Sequence, residues 1–243
     1  MADESAEFDR PAVSLAGLFP CLGPGEALAV VARAEAVIAG LPPERRSLPP
    51  DETARIARFL QPQDRRERMA AHGLLRHLLG AHLGRAPGGI VLTRDRFGRP
   101  SLAEAPGLDL NLSHGAGWVA VGLGCGGRVG VDVEGASRPV EWDAVARLFL
   151  HPAELAAFRA LPSAARPARA LELWAVKEAC LKASGEGLSA APQTVRLAPE
   201  EEAWSLAHRG LRLRAWSRLL DDGARFAWAG EAGLRFRVVR ASA

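Results

Sequence analysis

The pattern of apolar and polar residues predicts an alternation of helices and strands along most of the chain. Apolar residues at helical spacing predict helices at residues 26–39, 51–60, 63–83, 142–149, 152–161 and 168–183. Short apolar runs bounded by turn residues predict strands at residues 90–93, 108–112, 118–123, 129–133, 194–197, 211–216, 226–229 and 234–239. Residues 1–25 lack sustained periodicity and predict a loosely ordered leader. Because helices and strands occur in both halves, the pattern favours an α+β pseudo-repeat.

Composition and charge limit the classes of protein to which the chain could belong. The 243 residues are 48% hydrophobic and 24% charged, as in an ordinary folded domain. A net charge of +3 is small for a nucleic-acid-binding protein of this length. The three cysteines are scattered, and neither a signal peptide nor an uninterrupted apolar stretch of membrane-spanning length is present. We therefore expect a cytoplasmic protein without a nucleic-acid or membrane partner.

The basic residues are arginines except for Lys177 and Lys182, which lie five positions apart. Lysine carries a compact ammonium whose pKa responds to its surroundings, whereas a guanidinium stays planar and charged. Chance is one explanation for this cluster. The other is that chemistry requires an ammonium in this segment.

A carboxylate pair lies in the predicted strand at residues 129–133 and just after it. Alternation places Asp132 and Glu134 on one face, about 7 Å apart. Carboxylate oxygens are the ligands that Mg²⁺ prefers. Alone, the pair is equally compatible with the solvated face of a half-buried strand.

A second cluster lies on the predicted helix at residues 168–183. Trp174, Glu178 and Lys182 follow one another at four-residue steps and share a face, with Lys177 beside them. An ordinary surface pair of glutamate and lysine is the alternative interpretation. That alternative leaves the restriction of lysine to this segment unexplained.

Together these motifs resemble those of the 4′-phosphopantetheinyl transferases. The chain has V-G-V-D-V-E at residues 129–134 and W-A-V-K-E-A-C-L-K at residues 174–182, about forty residues later. The segments F-G-R-P at residues 97–100 and N-L-S-H-G at residues 111–115 are similar to upstream motifs of that family. The match is to the monomeric type with two similar α/β halves in one chain, like the surfactin synthetase-activating enzyme. The resemblance implies halves at residues 26–127 and 128–243, with the active site at their interface.

The resemblance also implies roles for individual residues. Asp132, Glu134 and Glu178 would bind a metal ion, and Asp132, Glu178 and Lys182 would be catalytic, with Glu178 the leading candidate for the general base. Lys182 would lie beside the pyrophosphate of coenzyme A, and Trp174 would pack beneath the site. Lys177 is the remaining motif lysine and is included among the residues that bind coenzyme A.

The remaining coenzyme A contacts implied by the resemblance lie earlier in the chain. Ser113 and His114 would contact coenzyme A, with His114 near its nucleotide phosphate, and Arg99 would bind phosphate as well. Arg66 and Arg68 are candidates for a further phosphate contact, with one residue of register open between them. Arg76, Arg94 and Arg96 remain alternatives, as does a solvated helix face.

The function implied is transfer of 4′-phosphopantetheine from coenzyme A to a serine of an apo carrier protein, giving holo carrier protein and 3′,5′-ADP. The implied cofactor is Mg²⁺, with Mn²⁺ as an alternative, and the implied partner is a carrier protein that exposes an acidic helix. A metal-dependent nuclease or phosphodiesterase is the alternative enzyme. A basic module that docks on an acidic protein surface is the non-enzymatic alternative.

Overall fold

The computed structural model describes residues 13–18, 20–136, 140–187 and 190–243, in two compact units. The first unit comprises residues 1–127 and 234–243, and the second comprises residues 128–233. Strands are numbered β1–β12 and helices α1–α6 along the chain. Each unit is built around its own five-stranded sheet.

The first unit combines strands from both ends of the chain. Its strands are β1 (Val13–Ser14), β2 (Glu26–Arg33), β3 (Thr93–Arg94), β4 (Pro100–Ser101), β5 (Leu108–Gly115), β6 (Trp118–Cys125) and β12 (Arg235–Ser242). Its helices are α1 (Ala34–Gly40), α2 (Pro50–Ala57) and α3 (Pro62–Leu83). The sheet order is β1-β12-β2-β6-β5, and β3 pairs with β4 in a separate ribbon. Buried leucines of α3 form one core with the valines of β2 and β6.

Strand β2 corrects the predicted helix at residues 26–39. The structure has a strand up to Arg33, and only Ala34–Gly40 is helical. Strand β2 lies between β12 and β6, and its residues are buried on both faces. An apolar run of this kind loses the two-residue alternation that identifies a half-exposed strand, so periodicity alone cannot separate it from a helix.

The predicted leader is corrected over its described part, because Leu15, Leu18 and Leu22 are buried in the core of the first unit. Residues 1–12 lie outside the described residues. The other end of the chain also differs from the predicted division. Strand β12, which we placed in the C-terminal half, runs parallel to β2 and β1 and belongs to the first unit.

The second unit is antiparallel throughout its described sheet, in the order β7-β11-β10-β9-β8. Its strands are β7 (Val129–Glu134), β8 (Ala198–Pro199), β9 (Trp204–His208), β10 (Leu211–Leu219) and β11 (Arg225–Glu231). Its helices are α4 (Trp142–Phe149), α5 (Pro152–Ala160) and α6 (Arg166–Ser184). The predicted strand at residues 194–197 is wrong, because a helical turn at Pro192–Thr194 precedes the short β8. Strand β9 was not predicted.

Each unit has a long helix packed on a five-stranded sheet, which confirms the predicted α+β fold with two sheet-containing halves. Helix α3 packs on β5 and β6, and helix α6 packs on β7, β11 and β10. Both helices end at a glycine in the left-handed conformation, Gly84 with φ 65° and Gly185 with φ 85°. None of the helices in the described ranges is long and apolar enough to cross a membrane.

Candidate functional site

The site in the second unit depends on a close approach between β7 and α6 at Gly130. A Cβ atom at Gly130 would lie 2.0 Å from the carbonyl oxygen of Ala179 and 2.6 Å from the amide nitrogen of Ala183. Only glycine allows the strand backbone to come this near to the helix backbone. The acidic residues that follow Gly130 on β7 are thereby brought against one face of α6.

Asp132 is the first of these acidic residues and is 3% exposed. Its Oδ1 accepts a hydrogen bond of 2.6 Å from Nζ of Lys182, one turn after Glu178 on α6. The same Nζ donates to the carbonyl oxygen of Val131 at 3.2 Å. The strand and the helix that carry the two motifs therefore meet at Asp132 and Lys182.

Glu134 lies two residues further along β7 and contacts the same helix. Its Oε1 accepts a hydrogen bond of 3.0 Å from the indole nitrogen of Trp174. The Trp174 ring also packs edge-on against Phe149, with 5.4 Å between the ring centroids. Trp174 thus connects a carboxylate of the strand with the apolar core under α6.

Glu178 lies on α6 between the turns that carry Trp174 and Lys182, and it is 5% exposed. Burial raises the pKa of Glu178 to about 7, the negative charges of Asp132 and Glu134 add to the rise, and the charge of Lys182 opposes it. Its Oε1 is buried and has no hydrogen-bond partner among the described residues. A carboxylate in this state is expected at a functional site more often than in a structural core.

Asp132, Glu134 and Glu178 are the candidate ligands for a divalent cation. Across the described ranges, the structure arranges no group of three or more His, Cys, Asp or Glu side chains so as to hold a metal ion. The chemistry of Asp132, Glu134 and Glu178 nevertheless fits a hard cation, because all three supply carboxylate oxygens. The buried, unpartnered Oε1 of Glu178 is the observation that favours this fit.

Lys177 lies elsewhere, and its position corrects the expectation that it binds coenzyme A. The side chain is fully buried and forms an ion pair of 2.8 Å with Glu154 of α5. Its Nζ also donates to the carbonyl oxygens of Pro192 and Val195. Because the ammonium bonds to three oxygen partners inside the core, Lys177 is a structural residue of the second unit.

In the first unit, Ser113 and His114 lie near the end of β5, before the turn into β6. Ser113 is buried, whereas the His114 side chain is 18% exposed. Nδ1 of His114 lies 3.7 Å from Oε2 of Glu67 on α3. The predicted nucleotide contacts therefore lie side by side in the sequence but differ in their access to solvent.

Three arginines of the first unit were predicted to bind phosphate, and they differ in their contacts. Arg99 forms an ion pair with Asp109 of β5, and Arg68 lies over the ring of Phe59 at 3.7 Å from its centroid. Burial lowers the pKa of Arg68, and its Nε has no hydrogen-bond partner among the described residues. Arg66 is exposed, so among these three arginines Arg99 and Arg68 are the ones held in place by described contacts.

Two family profiles match the chain, one in each part. The profile described as the 4′-phosphopantetheinyl transferase superfamily matches residues 128–229. The profile described as 4′-phosphopantetheinyl transferase, N-terminal, matches residues 43–123.

Among curated proteins, the chain is 32% identical over 171 residues to the 4′-phosphopantetheinyl transferase HetI of Nostoc sp., covering 66% of this chain and 72% of that protein. The chain belongs to the 4′-phosphopantetheinyl transferase superfamily. It is also 23% identical over 140 residues to the 4′-phosphopantetheinyl transferase Sfp of Bacillus subtilis, spanning 58% of this chain and 61% of that transferase. A holo-[acyl-carrier-protein] synthase of Thermotoga maritima aligns with a TM-score of 0.35 at 24% identity, over 43% of this chain and 62% of the synthase.

Membership of the 4′-phosphopantetheinyl transferase superfamily confirms the predicted family and the predicted type of enzyme. Within this family member, the V-G-V-D-V-E strand and the W-A-V-K-E-A-C-L-K helix contact each other through Asp132, Glu134 and their partners on α6. The sequence placed these residues on two elements. The structure adds the atoms through which they meet.

Two buried acids of this transferase were missed in the sequence. Glu52 of α2 binds Arg76 and Arg94, with Arg76 donating to it at 2.8 Å. Glu67 of α3 accepts hydrogen bonds from Gly117 and Gln63. Glu52 lies 24 positions from Arg76 and Glu67 lies 50 positions from Gly117, so neither pair follows a local pattern. No signal in the sequence separates them from solvated glutamates.

Proposed function

We propose that this protein transfers 4′-phosphopantetheine from coenzyme A to a serine hydroxyl of an apo carrier protein in a Mg²⁺-dependent reaction. The observation that supports it most is the convergence of Asp132 and Glu134 of β7 with Glu178 and Lys182 of α6 on one side of the second unit. Family membership supports the carrier protein and coenzyme A as the two substrates.

Asp132, Glu134 and Glu178 are proposed as the residues that hold the cation, and Mn²⁺ is an alternative to Mg²⁺. When bound there, the ion supplies neutralisation of the negative charge on the pyrophosphate of coenzyme A. Trp174 orients Glu134, because its indole nitrogen donates to one carboxylate oxygen and so fixes the direction of the other. Lys182 places a positive charge beside Asp132 through the 2.6 Å contact.

The transfer joins the serine Oγ to the phosphorus that carries pantetheine. The bond from this phosphorus to the bridging oxygen of the pyrophosphate breaks, and 3′,5′-ADP leaves with the electron pair. The serine proton passes to a base within hydrogen-bond reach, and Glu178 is proposed for this role because its buried Oε1 has no hydrogen-bond partner among the described residues. Lys182 is proposed to donate a hydrogen bond to the departing oxygen.

The nucleotide of coenzyme A is proposed to contact residues of the first unit. His114 is the leading candidate for the ribose phosphate because its ring is partly exposed and lies beside Glu67. Ser113 and Arg99 are proposed as neighbouring contacts, with Arg68 ahead of Arg66 for a further phosphate. The carrier protein is proposed to present an acidic helix to a monomeric cytoplasmic enzyme.

The test is transfer from coenzyme A to a purified apo carrier protein, followed by the mass gain of the carrier. We expect transfer by the wild-type protein with Mg²⁺, loss of transfer on addition of a chelator, and no transfer by Asp132→Ala or Glu178→Ala. Glu200→Ala is the matched control, because Glu200 is a partly exposed acid that pairs with Arg214. Wild-type activity in either site variant would remove the assignment.

A further inference from the structure

Glu67 is a buried acid of the first unit that the proposed reaction does not use. It lies in the second turn of α3 and is 3% exposed. A carboxylate in such a place is costly unless donors surround it. The groups that contact Glu67 therefore indicate its role.

Both oxygens of the Glu67 carboxylate have neighbours. Oε1 accepts hydrogen bonds from the backbone amide of Gly117 at 2.6 Å and from the side-chain amide of Gln63 at 2.8 Å. Oε2 lies 3.7 Å from Nδ1 of His114, within ion-pair range and beyond a direct hydrogen bond. Glu67 thus connects α3 with the hairpin that carries His114.

The hairpin needs such a connection because its turn has an uncommon backbone. Ala116 has φ 53° and Gly117 has φ 80°, so two consecutive residues lie in the left-handed region. The amide of Gly117 points to Glu67, and the carbonyl of Gly117 accepts the amide of Ala34. These two bonds fix the turn that sets the position of His114.

We propose that Glu67 is a positioning residue that orients His114 for a phosphomonoester of the nucleotide substrate. With the negative charge of Glu67 3.7 Å from Nδ1, a proton on that nitrogen is favoured, and Nε2 lies on the opposite side of the ring. An imidazolium held in this way has a fixed anion at Nδ1 and can donate its Nε2 proton to a phosphate oxygen. The ligand class is an anionic phosphate on a nucleoside, and the inference rests on the proposed function for the identity of coenzyme A.

A purely structural role for Glu67 is the competing explanation. In that case its bond to Gly117 only stabilises the turn, and removing its charge affects every substrate equally. In the proposed role, only substrates with the ribose phosphate are affected. Coenzyme A and its analogue without the 3′-phosphate therefore separate the two explanations.

The test variant is Glu67→Gln, because a glutamine oxygen can still accept the amide of Gly117 while the negative charge is lost. We expect the KM for coenzyme A to rise about tenfold with kcat within twofold of wild type. The KM for the analogue without the 3′-phosphate should stay unchanged. His114→Ala should give the same selective rise, and adding Glu67→Gln to it should have no further effect.

Gln63→Ala is the matched control, because it removes a neutral donor from the same carboxylate and leaves the charge. The ratio of the two KM values should stay as in wild type. An equal change for both substrates in Glu67→Gln, or no change for either, would overturn the inference. So would a wild-type enzyme that does not distinguish the two substrates, although the transferase activity would then stand.

A second measurement needs no activity. The ¹⁵N shifts of the His114 ring, assigned by comparison with His114→Ala, should report a protonated Nδ1 in wild type and less proton occupancy at that nitrogen in Glu67→Gln. An unchanged ring in the variant would contradict the inference whatever the kinetics show. If wild-type protein transfers nothing from coenzyme A, the proposed function fails, and the ring shifts alone decide the role of Glu67.

Discussion

In each unit a long helix packs on a five-stranded sheet, and charged side chains are buried between elements of the unit. The two units differ in whether the buried charges have hydrogen-bond partners. In the first unit, Glu52 is surrounded by donors from His72, Arg76 and Arg94, at distances of 2.8 to 3.0 Å. In the second unit, Glu178 keeps a buried oxygen without a hydrogen-bond partner among the described residues. A buried charge with all its partners contributes to folding, whereas one kept without them is stabilised by something other than the fold.

The pKa shifts of the two glutamates express the same difference. Burial opposes the ionisation of Glu52, but the hydrogen bonds and charges of His72 and Arg76 outweigh it and hold the pKa below its usual range. Burial and the neighbouring carboxylates raise the pKa of Glu178 to about 7. The first unit therefore stabilises a carboxylate, and the second one destabilises it in the absence of a cation or substrate.

The largest expected effect comes from Glu178→Gln, which tests the functional side of this comparison. We expect a loss of transfer of about 10⁴-fold, the size seen when a carboxylate of a catalytic group is replaced. The unfolding midpoint in urea should stay the same or rise, because the variant removes a carboxylate whose ionisation is opposed by burial and by the neighbouring acids. Large destabilisation with residual activity in the folded fraction would show that Glu178 is a structural residue like Glu52.

Lys177→Met addresses the buried ammonium on the other side of α6. The variant leaves Glu154 without its cation, so we expect a loss of about 3–5 kcal/mol in the free energy of unfolding. Urea unfolding measures it, and Lys177→Met combined with Glu154→Gln should recover part of the loss. Full stability in the single variant would mean that the ion pair does not contribute to folding.

Gly130→Ala tests the close approach that brings β7 to α6. The added Cβ would meet the backbone of Ala179, so strand and helix must separate, at a cost of about 1–3 kcal/mol or more. Transfer should fall as well, since Asp132 moves away from α6. Gly127→Ala, where the atoms nearest to the added Cβ belong to the side chain of Leu234, is the control, and equal effects at both positions would contradict the argument.

The smallest expected effect is the acid sensitivity due to Glu52. Because its pKa is lower in the folded chain than the value of 4.5 for an ordinary glutamate, the unfolded chain takes up the proton first as pH falls. The stabilisation is complete at neutral pH, and about 1 kcal/mol of it should be lost between pH 7 and pH 4. Urea unfolding at both pH values should show a smaller difference in Glu52→Gln, and an identical difference would contradict this role.

The secondary structure could be predicted for most of the long elements, with bounds close to those of the structure. Helix α4 begins and ends at the predicted residues, and α3 and β7 differ from their predicted bounds by one residue each. The helix predicted over β2 failed because that strand is buried on both faces and carries no alternation. Strands β6 and β7 are also buried along most of their length but were predicted, because turn residues bound them, whereas β2 runs directly into α1.

For the site residues, the sequence predicted the shared helix face but not the contacts of each side chain. The spacing of Trp174, Glu178 and Lys182 places them on one face of a helix, and the structure shows Trp174 and Lys182 contacting β7. Lys177 belongs to the same motif, but its side chain points into the core towards Glu154. A motif in the sequence lists residue types at fixed spacing, and it does not separate those that contact substrate from those that hold the helix in place.

The sequence alone determined the family, the elements that carry the motifs, and the acidic and basic residues available for the reaction, because these depend on residue type and on spacing within one helix or strand. Tertiary structure decided which charges are compensated. Most partners of Glu52, Glu67 and Lys177 lie 15 to 50 positions away in the chain, and no local period encodes such pairs. The role of a buried charge depends on the groups that surround it in the folded chain, and tertiary packing determines which groups those are.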